Sequence, residues 1–412
     1  MTGIPLAGPA MTGSAPAPAV DRTAERMRVL LLVVLATIGA LYLAFGLYYG
    51  ALIETPPFLN RSRTAAGGDF AAFWAATTLA AAGDPASAYD HARFSSLILS
   101  IAPAVDRPNP WSYPPVVMLL LRPLGWLDPV PALLLWYVLI FGAALAAVRV
   151  ATGRWTAAGW ALLFPPVVHS LINGQNGTVT ALLFASFLTC FRRMPWLAGA
   201  ALGMLAYKPH LAVVPACLAL AFGAWRVLAG AALVACLLVG ASLALDGAAP
   251  WAGFVAQSQA QLALMTGGRL PIHRLVTPFA LLFAAGVPAT LALALHGVAA
   301  LAAIAAAVQV WRRSADPLPR ALSLTLAAVL VTPYAYDYDL AILVVPAALL
   351  LRRDAPPFAL DDCATRWMVA LAVAPVLTLV LAAGSKIPFG TVAIVAALAI
   401  VALRQHWVPA AR

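Results

Sequence analysis

Asp69 is the only acid between Gly67 and Ala82, in the stretch GGDFAAFWAATTLAAAGDPASAYD that runs from Gly67 to Asp90. It follows two glycines and opens a run with helical character. A carboxylate just past one hydrophobic span lies at the water–lipid boundary, where it can take a proton from a hydroxyl on a lipid-borne group. Aspartate is also a favoured N-cap, so base and cap stand as two readings of one residue. Lys208 is one of only two lysines, with Lys386, and lies between two apolar runs with Pro209 directly behind it. An ionisable group at membrane depth is costly and points to function. A compact ammonium suits a phosphate oxygen, although a lysine at a span end also snorkels. His210 can bind the same phosphate or serve structurally. His273-Arg274 closes the loop 246–276 and offers either a phosphate contact or a span boundary.

A second set of candidates is neutral or aromatic. Asn173, Gln175 and Asn176 carry amides suited to sugar hydroxyls, and their Asn-Gly steps also read as an ordinary turn. Asp337 and Asp339 bracket Tyr338 in the segment Thr332–Asp339, TPYAYDYD, which includes Tyr336. These acids can bind a sugar, assist as a second acid, or sit solvated in an aromatic belt. No His/Cys/Asp cluster has zinc spacing, and no G-x-S-x-G elbow appears. Cysteines 190, 217, 236 and 363 lie in or beside apolar runs and read as small core residues.

The elements that must hold these residues follow from composition. The chain has 412 residues, 63% hydrophobic and 10% charged, with a mean hydropathy of +0.91. Soluble domains carry about 25% charged residues, so this is a polytopic, all-α membrane protein. The net charge of +10 is no nucleic-acid signal, because the arginines cluster in short loops and orient spans by the positive-inside rule. Residues 1–27 form a Pro/Ala/Gly-rich cytoplasmic tail, 28–404 a single membrane domain, and 405–412 a second tail. The first span covers about 29–49, and 50–112 is an outer loop with amphipathic helices lying at the interface. The apolar run 113–127 is short for a span and is treated as re-entrant. Spans are then expected at 131–149, 155–172, 177–191, 195–207, 209–224, 227–245, 288–311, 321–334, 337–352, 366–384 and 387–403, about twelve in all. This threading puts Arg149, Arg154, Arg192-Arg193, Arg226, Arg312-Arg313, Arg352-Arg353 and Arg404 inside. It puts Asn176, Lys208, the loop 246–276 and Tyr336 outside.

Gly68-Asp69-Phe70 with Trp74-Ala75-Ala76, the Gly83…Ala88-Tyr89-Asp90 ending, and Tyr113-Pro114-Pro115 resemble glycosyltransferase family 87. Asn173-Gly174-Gln175-Asn176, Lys208-Pro209 and Thr332-Pro333-Tyr334 resemble later landmarks of that family, and the likeness covers about residues 28–350. The resemblance implies a GT-C-type bundle and a polyprenyl-phosphate-linked sugar donor. It implies Asp69 as the general base, and Tyr113, Asn173, Gln175, Asn176, Tyr336 and Asp337 as sugar or acceptor contacts. It further implies a bacterial inner-membrane enzyme, working on the periplasmic face, that moves a hexose, mannose by analogy, to a lipid or glycan acceptor. Lys208, His210 and Arg274 would meet the departing phosphate. No metal, cofactor or nucleic acid is expected, and membrane lipids are the natural surroundings. Tyr334-Ala335-Tyr336-Asp337 departs from the Trp or His expected after the Ser/Thr-Pro step, which bears on the acceptor pocket. A transporter or flippase of a lipid-linked saccharide is the rival reading; it predicts pseudo-repeated halves with paired broken helices. A non-catalytic scaffold is a second rival.

Overall fold

The computed structural model describes residues 65–350 apart from 104, 106–107, 156–158 and 160–161, together with 387–403 and scattered positions between 33 and 48. Part of the expected span 29–49, the whole span 366–384 and both tails therefore lie outside the described residues; within the first span, residues 36–44 are helical. Among the described residues the regular structure is helical, with no strand and one isolated antiparallel bridge, Leu275 to Tyr336. Proline sets many of the starts. Pro129, Pro165, Pro195, Pro209, Pro250, Pro278 and Pro317 all occupy the first or second helical position, where a missing N–H costs nothing.

Three described helices are long and apolar enough to cross a membrane: Pro129–Thr152, Trp225–Asp246 and Ala289–Arg313. At 1.5 Å per residue even the 22-residue one reaches about 33 Å, more than the roughly 30 Å hydrocarbon core. They coincide with the expected spans at 131–149, 227–245 and 288–311. The other apolar helices are shorter. Gly177–Cys190, Pro209–Ala221, Pro317–Val331 and Phe389–Leu403 have 14, 13, 15 and 15 residues, or about 20–23 Å. The described residues thus show three membrane-length helices and several short ones, not twelve full spans. The expected span 337–352 begins instead as a 3₁₀ turn, Asp337–Leu343, before a short helix at Val344–Leu350. In the expected span 155–172, the described residues include the helix Pro165–Ile172 and a helical Gly159.

The helix that follows Asp69, Phe70–Ala81, was expected at the membrane interface with one apolar face. It is buried instead, eight of its twelve residues being inaccessible. Alanines at 71, 75, 76 and 80 let neighbours approach on every side, and Phe73 anchors it. The Phe73 ring lies 5.0 Å from Tyr113, 5.0 Å from Trp136 and 5.6 Å from Trp111. The amphipathic helix of this loop is the next one, His91–Ile101, which buries Phe94 and Ile98. Its N-cap, Asp90, accepts from the amides of Ala92 and Arg93 at 3.0 and 3.3 Å.

The segment 113–127 forms no membrane-length helix. Val116–Leu121 is a six-residue α-helix that runs into a 3₁₀ turn, Arg122–Trp126. This element folds back on the Phe70–Ala81 helix. A Cβ on Gly125 would meet the carbonyl oxygen of Thr77 at 2.1 Å, and Trp74 Nε1 donates to the Leu127 carbonyl at 2.9 Å. Arg122, which belongs to none of the inside clusters, pairs with Asp246 at the end of the second long helix. At the opposite end, Arg320 donates to the carbonyls of Ser314 and Trp311 at 2.7 and 3.0 Å, with Arg192 within electrostatic reach.

The arginine-rich and polar ends of the bundle are therefore separate, and impermeant labelling can tell which faces the cytoplasm. Arg193 and Gln259 are both exposed. In intact cells a cysteine at 259 should react with an impermeant maleimide, and one at 193 should react only after permeabilisation. The reverse pattern would overturn the orientation.

Candidate functional site

Two turns meet backbone to backbone at the polar end. Gly67 and Gly68 take φ of 73° and 61°, and Gly174 takes 62°, a region that side chains with a Cβ rarely enter. The amide of Asp69 donates to the Asn173 carbonyl at 3.0 Å. A Cβ on Gly174 would lie 1.9 Å from the Gly67 carbonyl oxygen, and one on Gly177 would lie 2.6 Å from that of Tyr338. The Asn173–Gly177 turn is thus clamped between the Asp69 turn and the Asp337–Asp339 segment. Trp136 Nε1 holds it from a third side, donating to the Gly174 carbonyl at 2.8 Å.

The clamp sets the side chains. Asp69 occupies the N-cap position but its carboxylate makes no capping bond. It accepts instead from Gln175 Nε2 at 2.7 Å, across 106 residues of sequence. Gln175 Oε1 in turn accepts from the Tyr113 hydroxyl at 2.9 Å. Tyr113 is itself placed by Tyr89, whose hydroxyl donates to the Tyr113 carbonyl at 2.6 Å. Asn176 is buried, with its side-chain oxygen 3.5 Å from the same Tyr113 hydroxyl.

The other two carboxylates are neutralised. Asp339 accepts from Lys208 Nζ at 2.6 Å, both side chains nearly inaccessible. Lys208 also lies 5.8 Å from the Tyr113 ring centre and 5.3 Å from that of Tyr338, close enough for attraction to the ring faces. Arg274 grips Asp337 with Nε at 3.0 Å and Nη2 at 2.9 Å, and donates from Nη2 to Asn173 Oδ1 at 3.1 Å. His169 Nε2 lies 3.0 Å from the same Asp337, and His169 Nδ1 is bonded to the Tyr42 hydroxyl. Burial alone would raise the Asp337 carboxyl, but His169 and Arg274 outweigh it and hold the group well below the ordinary range. Burial likewise opposes the charge on Arg274, and Asp337 reverses that and raises its affinity for its proton.

Tyr334, Tyr336 and Tyr338 form a ladder beside these charges. Tyr336 stacks on Tyr338 at 5.2 Å and meets Tyr334 edge-on at 5.5 Å. Burial pushes the Tyr334 hydroxyl up to about 12. The ladder is held by the 275–276 strip, where Val276 N donates to the Ala335 carbonyl at 2.9 Å. His210 meets Tyr334 edge-on at 6.4 Å.

All ten residues singled out in the sequence (Asp69, Tyr113, Asn173, Gln175, Asn176, Lys208, His210, Arg274, Tyr336 and Asp337) belong to this one connected assembly. His169 was missed. It is a single histidine inside an apolar run, and its pairing with Asp337, 168 positions further along the chain, shows only in space. Asp339 was noticed beside Tyr338, but its tie to Lys208 was not. Among the described residues no group of three His, Cys, Asp or Glu side chains is disposed to hold a metal ion.

Three carboxylates, two strong cations and a tyrosine ladder thus form one polar cluster at one end of a bundle of apolar helices. The sequence model of glycosyltransferase family 87 matches residues 111–333, more than half of the 412-residue chain. The chain belongs to glycosyltransferase family 87, which makes it a membrane glycosyltransferase with a sugar donor and an acceptor as substrates. No curated protein and no solved structure matches it. The matched stretch contains Tyr113, the Asn173–Gly177 turn, Lys208, His210 and Arg274; Asp69, Asp337 and Asp339 lie outside it.

Two outcomes test the assembly. Gly174→Ala forces a Cβ into the Gly67 carbonyl at a left-handed φ and should lower stability by about 2 kcal/mol or more, read as a drop in the unfolding midpoint of the detergent-solubilised protein. Asp337→Asn leaves the Arg274 guanidinium without its counter-charge and should cost about 3–5 kcal/mol at pH 7. A depressed carboxyl contributes its stability above its unfolded value of about 3.9 and loses it as pH falls through the lower folded value. The gap between Asp337→Asn and the parent should therefore hold down to about pH 4 and narrow below it.

Proposed function

We propose that the enzyme transfers a hexose, mannose in the simplest reading, from a polyprenyl-phosphate-linked donor to a lipid or glycan acceptor, with Asp69 as general base. The observation that carries this is the asymmetry of the three carboxylates. Asp337 and Asp339 are bound to cations and nearly inaccessible, whereas Asp69 is half-buried and held by a neutral amide. Among the described residues no ion pair engages it, although Arg274 lies within electrostatic reach, and one oxygen is left for an acceptor hydroxyl. The Gln175 amide orients that carboxylate without neutralising it.

The reaction is an inverting displacement. The acceptor oxygen forms a bond to the anomeric carbon as the bond from that carbon to the phosphate oxygen breaks, and the acceptor proton passes to Asp69. Polyprenyl phosphate leaves with one more negative charge than it brought as donor. Lys208 and Arg274 face that charge, both lying within 6 Å of the Tyr338 ring centre. Each keeps N–H donors beyond those spent on Asp339 and Asp337. Fixed donors aimed at a developing charge are often the largest catalytic contribution. The recessed polar end and the apolar helices around it suit a donor whose chain stays in the bilayer, on the extracytoplasmic side of a bacterial inner membrane. Family membership and the unpaired base favour transfer over transport of the same lipid-linked sugar.

The decisive substitution is Asp69→Asn. Because Asp69 does not cap its helix through its side chain, the amide keeps shape and can keep the Gln175 bond, and removes only basicity. Transfer in proteoliposomes should fall by about a hundred- to ten-thousandfold, with the unfolding midpoint and donor binding nearly unchanged. Turnover close to that of the parent would remove Asp69 as the base.

A further inference from the structure

The tyrosine ladder has unlike ends. At Tyr338 stand the two cations, Lys208 and Arg274. At Tyr334 stand Gln261, whose Nε2 donates to the Tyr334 hydroxyl at 2.6 Å, and the His210 imidazole. Both of these residues carry a buried polar atom with no hydrogen-bond partner, Gln261 Oε1 and His210 Nε2. The result for Gln261 does not depend on how the amide is turned, because one end bonds the Tyr334 hydroxyl and the other is left over. A buried polar atom without a partner costs about 1–3 kcal/mol. Two such atoms around one tyrosine are a place where a ligand's hydrogen bonds would be repaid.

Gln261 comes from a part of the fold that the reading above leaves unused. The helix Ala249–Thr266 buries only Pro250 and Met265 completely and contains no charged residue. Its N-terminal half rests on Tyr89, where a Cβ on Gly253 would meet the tyrosine Cβ at 2.8 Å. Its other half is tied to the site through Gln261 and Tyr334. Val255 and Leu262 remain half-exposed on the outside. It therefore covers the Tyr334 end of the ladder with an uncharged wall.

We propose that Gln261, His210 and Tyr334 form a subsite for the hydroxyls of a neutral sugar, and that this sugar belongs to the acceptor. An amide, an imidazole and a phenol supply both donors and acceptors beside an aromatic ring, which matches a polyol and gives an anionic headgroup no counter-charge. The cations at the far end of the ladder are the place for the donor phosphate. Gln261 is the specificity-determining residue, because it brings the covering helix's hydrogen bond to Tyr334, whereas Met265 of the same helix only packs there. This assignment rests on the glycosyltransferase reading, and the test keeps the two apart.

The test uses the purified full-length chain in detergent and follows tryptophan emission, with Trp251 on the same helix as reporter. Methyl α-mannoside is the neutral probe and glycerol 3-phosphate the anionic one. The mannoside should give a saturable change that Gln261→Leu and Tyr334→Phe each weaken about tenfold. Ser258→Ala, on the exposed side of the same helix, should bind like the parent and certify that the helix is in place. Glycerol 3-phosphate should not compete. In proteoliposomes Gln261→Leu should raise the KM for the acceptor about tenfold and that for the donor much less, while Ser258→Ala should match the parent in both. Absence of a saturable mannoside response, or equal affinity in Gln261→Leu and the parent, would overturn the subsite. A rise in the donor KM as large as that in the acceptor KM would overturn its assignment to the acceptor. If transfer itself fails to appear in the parent while the mannoside titration behaves as described, the subsite stands and the mechanism does not.

Discussion

The architecture of the polar end depends on one close approach, that of the Gly67-Gly68 turn to the Asn173-Gly174 turn. Backbone touches backbone there, with the Asp69 amide on the Asn173 carbonyl and no room for a Cβ on Gly174. A contact of that kind fixes distance far more tightly than side chains can, because it has no rotamers to relax. Asp69 and Gln175 inherit their separation from it. So does Arg274, which reaches the same turn through Asn173 Oδ1. The glycines are therefore needed for the chemistry even though they carry none.

Around that contact the charges are sorted. Burying a charge is tolerable when it is paired and hydrogen-bonded, and Asp337, Asp339, Lys208 and Arg274 meet that condition among themselves. The pairing explains how so many ionisable groups can sit beside apolar helices without unfolding the bundle. It also isolates Asp69. Its carboxylate is held by a neutral amide, whereas that of Asp337 is held by guanidinium and imidazole.

Much of this was legible in the sequence, and the part that was not has physical reasons. Long uniform apolar runs made the three membrane-length helices plain, and the clustered arginines separated the two ends. The ten candidate residues stood out because polar groups are rare in this chain. Their partners did not, since the Asp69–Gln175 and Lys208–Asp339 contacts join positions 106 and 131 residues apart and leave no local pattern. The Phe70–Ala81 helix was misplaced because alanine is ambiguous. It counts as weakly apolar in a periodicity, yet its small size lets a helix be packed on all sides. The number of spans is not confirmed among the described residues, where several apolar runs form helices shorter than a membrane is thick. Gln261 was hidden on a helix, Ala249–Thr266, that carries no charge to draw notice.

The unequal lengths of the helices bear on the depth of the polar end. The helices that lead into it, Gly177–Cys190 and Pro209–Ala221, are shorter by about 12–17 Å than the membrane-length helices Pro129–Thr152 and Trp225–Asp246. Their polar starts, Asn176 and Lys208, can therefore lie below the level reached by those helices. Drawing an alkyl chain out of a bilayer costs about 0.8 kcal/mol per methylene. For the polyprenyl-linked donor proposed above, a low-lying site would remove that work, since the headgroup would be met where it already floats.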